Sequence, residues 1–297
     1  MAIKPIQVSV GICAYNEEEN IRAILESVLC QKLEKFELSE VIVVSSGSTD
    51  STELIVNSII EDDNRVRLIV ESSRSGKAGA INIFLEAAIG EICIIQSADT
   101  VQLDGTLMEM CSPFLDEEVG AVAGRPKQIK SRGLVSNFST ILWDLHEIVS
   151  RKKPKLGEIS AHRNVFDSIP SDTIADDSFI EYQIQELGYK IVFQPHALVM
   201  NKGPDNLNEY VKQRTRWRAA QIINSQRTGY TTGTMKSSTS ISAMLQYSIK
   251  KPWKIPIILP MCLIELYCLV KSKSQAKERQ NELVVWERLA TTKKNLE

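Results

Sequence analysis

The feature that most constrains this chain is the alternation of strand-length apolar runs with longer amphipathic stretches over its first hundred residues. VSVGICAY (8–15) leads into ENIRAILESVLCQ, EVIVVSS (40–46) into STELIVNSIIED, RVRLIVES into AGAINIFLEAAI, and EICIIQSAD (91–99) into a helix expected near Asp104. Period-two runs followed by 3.6-period runs predict parallel strands with helices on both faces, and such sheets bind ligands at the carboxyl ends of their strands. Two helix starts are signed by a capping residue with an acid three positions later, Asn16 with Glu19 and Asp50 with Glu53.

Beyond residue 120 the pattern changes. VGAVAGRPKQI, LGEISAHRNVF and KIVFQPHALVM are shorter, mixed strand candidates around a helix carrying Trp143 and His146, and this half is expected to receive an acceptor. Residues 206–226 form a polar, basic amphipathic helix, and the Ser/Thr/Gly-rich TGYTTGTMKSSTS that follows reads as a linker. A boundary is therefore expected near 228, with one domain over 1–228 and a helical segment over 229–297. In that segment IPIILPMCLIELYCLV (255–270) lies between lysines, holds Glu265 and contains Pro256 and Pro260. Sixteen residues at about 1.5 Å each fall short of a hydrocarbon core of about 30 Å, so the expectation is a segment resting on a membrane surface, not a span.

Composition removes several classes. Thirty-five Lys plus Arg against 37 Asp plus Glu leaves a net charge of −2, which supplies no general attraction to nucleic acid. The six cysteines form no CxxC pair, and His146, His162 and His196 share no ligand spacing, so neither a disulfide scaffold nor a zinc module is expected. The N-terminus lacks the pattern of a signal peptide, and the chain is expected in the cytoplasm, at the cytosolic face of a membrane.

The predicted strand ends present CAYNEEENI (13–21), SSGSTDST (45–52), SGKAGAIN (75–82) and SADT (97–100), followed by IADDSF (174–179) and QRTRW (213–217). None is a Walker loop or a GxGxxG motif. In this order and spacing they resemble glycosyltransferase family 2, the inverting nucleotide-sugar transferases, in the branch bearing QxxRW, over roughly residues 6–228. The resemblance implies a GT-A fold: an α/β, doubly wound, mostly parallel sheet with a mixed acceptor-side half, here with a C-terminal helical extension. It implies donor contacts from Ala14, Tyr15, Glu17, Ser45, Ser46, Lys77, Ala98 and Arg216, acceptor contacts from Gln213 and Trp217, and a metal held by Asp99. The acidic pair Asp176 and Asp177 would be catalytic, with Asp177 the base. Two departures stand out. Ser45 and Ser46 replace an aspartate that usually contacts the nucleoside, and Ser97 replaces the first carboxylate of the metal motif.

The chemistry implied explains these residue types. A departing nucleoside diphosphate develops negative charge, which Mg2+ or Mn2+ on carboxylate and phosphate oxygens stabilises, with Arg216 as a planar fork and Lys77 as a point charge. A carboxylate on the opposite side of the anomeric carbon takes the acceptor proton, and a single in-line displacement inverts configuration. The expected partners are a nucleotide-sugar donor, UDP- or GDP-linked, a glycan or lipid-linked acceptor and a membrane surface. Two other classes fit less well. A nucleotidyltransferase would carry a basic, Gly-rich loop where CAYNEEEN is acidic, and a silent sugar-nucleotide binder would have no need to keep Asp99, Asp177, Gln213, Arg216 and Trp217 together.

Overall fold

The computed structural model describes residues 4–129 and 132–278. Its strands are β1 (Ile6–Ala14), β2 (Phe36–Ser46), β3 (Val66–Glu71), β4 (Ile92–Ser97), β5 (Thr100–Gln102), β6 (Val119–Gln128), β7 (Ile159–Arg163) and β8 (Lys190–Asn201). Between them run α1 (Ile21–Leu29), α2 (Thr52–Asp62), α3 (Lys77–Ala87), α4 (Thr106–Cys111), α5 (Leu134–Ser150) and α6 (Asp176–Glu186), and α7 (Leu207–Thr228), α8 (Ser237–Lys250) and α9 (Ile255–Glu278) follow. All the strands join one sheet in the order β3-β2-β1-β4-β7-β6-β8-β5. β1, β2, β3 and β4 pair in parallel, whereas β7 runs antiparallel to both β4 and β6. The expected parallel half and mixed half are both present, and the chain reverses its direction of winding between β1 and β4.

Strand periodicity builds the two cores. Val41 and Val43 of β2 and Ile92 and Ile94 of β4 pack with Ile21, Ile24 and Leu25 of α1 on one face. The intervening Ile42, Val44, Cys93 and Ile95 pack with Ile81 and Phe84 of α3 and Ile180 and Ile184 of α6 on the other. Gly11 lets α3 approach β1, because a Cβ there would lie 2.5 Å from the Phe84 ring.

Three local expectations change. Asn16 does not cap α1, which begins at Ile21; it has φ 53° and its side-chain oxygen accepts the Thr49 amide at 2.7 Å. Ser51, not Asp50, is the cap residue of α2; Asp50, one residue earlier, accepts from the amide and hydroxyl of Thr52, and Glu53 turns away to receive the Ser45 hydroxyl at 2.8 Å. The stretch read as a linker is packed structure: Thr232 is buried, a short 3-10 turn spans Gly233–Met235, and α8 starts at Ser237. Polar hydroxyls suggested solvation, yet here they close local bonds, Ser225 to Thr231 at 2.9 Å and Ser240 to the Thr234 carbonyl at 2.9 Å.

The apolar block also differs from its expected form. α9 is one helix of 24 residues, about 36 Å long, and by length and composition Pro252–Lys277 could cross a bilayer. Pro256 falls in the first turn, where no amide is needed, and Pro260 removes one hydrogen bond without ending the helix. α9 carries two stripes. Ile258, Met261, Cys268 and Ser272 are buried, while Leu259, Leu263, Leu266 and Val270 are exposed. Ile258 and Met261 of the buried stripe join Phe138 and Ile141 of α5, Tyr210 of α7 and Tyr247 of α8 in one further core.

Candidate active site

A cavity of about 500 Å³ lies beyond the carboxyl ends of β1 and β4, enclosed by α5, α6, α7 and the C-terminal helices. Of the residues singled out in the sequence, Ala14, Tyr15, Glu17, Ser46, Lys77, Ala98 and Asp99 reach it from the parallel half, and Asp176, Asp177, Gln213, Arg216 and Trp217 from α6 and α7. Ser45 does not: it is fully buried, and its hydroxyl bonds Ser48 and Glu53. Any nucleoside contact on β2 falls to Ser46.

The first two motifs hold each other. Besides Asn16 to Thr49, the Glu17 amide donates to the Thr52 hydroxyl at 2.8 Å, the Glu18 amide to Asp50 at 3.2 Å, and the Ser51 amide to the Glu18 carboxylate at 3.0 Å. The NEE and STD strings thus staple the β1–α1 loop to the β2–α2 loop at one end of the cavity. Tyr15 is covered by the Arg74 guanidinium, 3.8 Å from its ring centroid. Arg74 was not singled out, although its place in SRSGK just before Lys77 was a signal.

Lys77 bonds Asp176 at 2.8 Å. Desolvation works against its charge, but Asp176 and then Asp177 outweigh that and raise its pKa. Asp177 is gripped by the Lys155 ammonium and receives the Ser178 amide at 2.7 Å. Burial pushes the Asp177 carboxyl up; Lys155, Lys77 and the amide more than offset it, so the carboxyl titrates below its usual range. Both acids stand in the first turn of α6, where the helix dipole favours negative charge.

Asp99, just past β4, has Glu158 close by. Desolvation and the Asp99 charge push the Glu158 carboxyl up to about 7. Among the described residues no three His, Cys, Asp or Glu side chains converge on a metal position. The Asp99 carboxylate is of the ligand type that hard dications such as Mg2+ and Mn2+ favour, and it would be the residue to hold one. Glu158 and Lys155 stand in no recognisable motif, and KPKLGE gains meaning only by its tertiary approach.

On α7, Trp217 lines the cavity with Arg214 4.7 Å from its ring centroid. Trp143 of α5, edge-on to His146, lines the same wall, and burial and Lys155 push His146 down to about 3, so it is neutral. Arg214 and Arg218 are no solvated helix face: both bond Glu265 of α9, at 2.8 and 2.7 Å, and the Tyr210 hydroxyl donates to the same carboxylate at 2.8 Å. The one acid in the apolar block points inward.

The chain is similar to known proteins in sequence and in fold. The profile of the family described as "Glycosyl transferase family 2" matches residues 9–182, and that of "Glycosyltransferase like family 2" matches 156–220. A poly-beta-1,6-N-acetyl-D-glucosamine synthase of Staphylococcus aureus (strain COL) is 27% identical over 219 residues, 69% of this chain and 52% of that protein. The synthase of that name from Staphylococcus epidermidis is 27% identical over 223 residues, 71% and 53% of the two chains. The chain therefore spans about half the length of these relatives. Among solved structures, the mannosyltransferase PcManGT of Pyrobaculum calidifontis, in complex with GDP-Man and Mn2+, superposes with a TM-score of 0.67 at 21% identity, covering 93% of this chain and 88% of that one. Residues 1–349 of S. aureus TarS superpose with a TM-score of 0.50 at 17% identity, covering 94% and 83%. At these identities the likeness concerns the fold, and the fold is GT-A.

Proposed function

The chain belongs to glycosyltransferase family 2, and from that membership we propose that it moves a sugar from a UDP- or GDP-sugar to a hydroxyl of a glycan or lipid-linked acceptor, with inversion. The observation that carries this reading is the gathering, from separate segments, of Lys77, Asp99, Asp176, Asp177, Arg216 and Trp217 around one cavity. That a fold neighbour holds GDP-Man and Mn2+, and that the polysaccharide synthases are relatives, supports it further.

In this mechanism Asp99 would hold Mg2+ or Mn2+, which when bound neutralises charge growing on the departing diphosphate. Lys77 and Arg216 bind phosphate oxygens of the donor. Trp217 offers an apolar face on which an acceptor sugar stacks, with Gln213 one turn before it to bond a hydroxyl. Asp177 accepts the acceptor's hydroxyl proton as that oxygen attacks the anomeric carbon and the bond to the diphosphate breaks. Asp176, bonded to Lys77, ties the acceptor end of the cavity to the donor end.

The same reading places α8 and α9 on a cytosolic membrane face. Ile241, Leu245 and Ile249 of α8, Trp253, and the outer stripe of α9 form an exposed apolar surface flanked by Lys250, Lys254, Lys271 and Lys273. Because the inner stripe packs on α5 and α7, a surface attachment accounts for both faces of α9. The test is release of nucleoside diphosphate from a panel of UDP- and GDP-sugars, with and without Mn2+ and with glycan or lipid-linked acceptors. Metal-dependent, acceptor-stimulated release is expected. Donor binding without release on any acceptor would favour the silent binder.

A further inference from the structure

Lys155 is a buried lysine with a specific pattern of bonds. Its side chain is 3% exposed, and its ammonium donates to the Leu156 carbonyl at 2.7 Å and to the Asp177 carboxylate. The next residue holds the same helix: the Leu156 amide donates to Glu181 at 2.8 Å, four residues and one turn beyond Asp177 on the same side of α6. Tyr230 closes the other Glu181 oxygen at 2.8 Å. The Lys155–Leu156 dipeptide is thus a two-point clamp on the first turns of α6. The ammonium also stands 6.0 Å from the centre of the Trp217 ring. We propose that Lys155 is a positioning residue of the transfer reaction, clamping the Asp177 carboxylate beside the Trp217 face so that acceptor hydroxyl and base meet.

This inference rests on the reading of Asp177 as the base and deepens it. A carboxylate enclosed by protein loses the hydration that keeps it charged, and burial favours its protonated, non-basic form. The groups facing Asp177 are Lys155 and Glu158 from the segment before β7, Lys77 from α3, His146 from α5, Asp176 and Glu181 on its own helix, and Tyr230 after α7. Among the described residues Lys77 pairs with Asp176 and Lys155 pairs with Asp177. Lys155 also holds one edge of the carboxylate, while further lone pairs remain for a proton.

An ion pair that served folding alone would lower stability, while kcat measured on the folded, donor-saturated enzyme would stay as it is. The experiment is the pH profile of kcat for the full chain carrying Lys155→Met, beside wild type, Lys155→Arg and Glu181→Gln, with donor affinity from calorimetry. Lys155→Met is expected to bind donor as wild type does and to lose at least about 10-fold in kcat, with the loss deepening as pH falls. Its acid limb should move up by about one pH unit or more. Lys155→Arg should return the limb toward its original place, and Glu181→Gln should leave it there. A Lys155→Met enzyme with wild-type turnover, or with a loss equal at every pH, overturns the proposal. Should Lys155→Met fail to bind donor, Lys155→Gln is read the same way; if neither neutral variant binds donor, the pair is architectural and the proposal fails. Near-normal turnover in Asp177→Asn would instead remove the base reading itself, a separate outcome.

Discussion

Asp99 shows what a single residue can reveal before folding. It closes an apolar run, so it had to stand at a strand end, and the cavity lies there. Ser45 shows the limit: Ser45 and Ser46 are adjacent in the same motif, and strand alternation sends only Ser46 to the cavity. Lys155, Glu158 and Arg74 belong to no motif and meet the cavity through neighbours distant in sequence. Asp99→Ala is expected to weaken donor binding in Mn2+ and to abolish the further loss caused by chelator; calorimetry that finds donor affinity unchanged would remove the metal role. Arg216→Lys keeps the charge but loses the planar fork, so turnover should fall about 10-fold or more. Trp217→Ala should mainly raise the acceptor KM, and an unchanged acceptor KM would contradict the stacking role.

At the level of elements, the alternating half was legible because each βα unit combines two periods that sequence displays directly. The C-terminal elements were harder. Hydroxyl-rich residues that look solvated form the entry to α8, and prolines that look like breaks are tolerated in α9 because one lies in the first turn and the other costs one hydrogen bond. Glu265 seemed to argue only against a membrane, whereas it joins α9 to the QRTRW helix. Burial pushes its carboxyl up, but Arg214 and Arg218 prevail and hold it down at about 2. Glu265→Ala would leave two arginines facing each other without their carboxylate, and a loss of about 3–5 kcal/mol is expected by denaturant unfolding. The sign with pH follows from the depressed folded value. The stabilisation is fully present above the unfolded pKa near 4.3 and is lost as pH falls toward about 2. Wild type should lose stability more steeply than Glu265→Gln across that window, and parallel curves would contradict the assignment.

For the molecule as a whole, the direction of winding reverses between β1 and β4, and the side chains proposed to bind donor from one half line the same cavity as those proposed for catalysis and acceptor binding from the other. The helical extension shares a core with α5 and α7 and also carries the apolar outer surface, so attachment to a bilayer would bring the cavity close to it. Flotation with anionic liposomes should carry the chain to the top of the gradient, and Leu259→Glu with Leu263→Glu should abolish this while transfer to a soluble acceptor persists. A double variant that still floats would remove the outer stripe from the contact. The central claim is that one carboxylate in this cavity activates an acceptor against a bound nucleotide sugar. Its most direct test measures donor affinity and sugar transfer on the same sample of Asp177→Asn. The account predicts wild-type donor affinity in Mn2+ with transfer reduced about 100-fold or more; near-normal transfer by Asp177→Asn, with the loss appearing instead in Asp176→Asn, would contradict it.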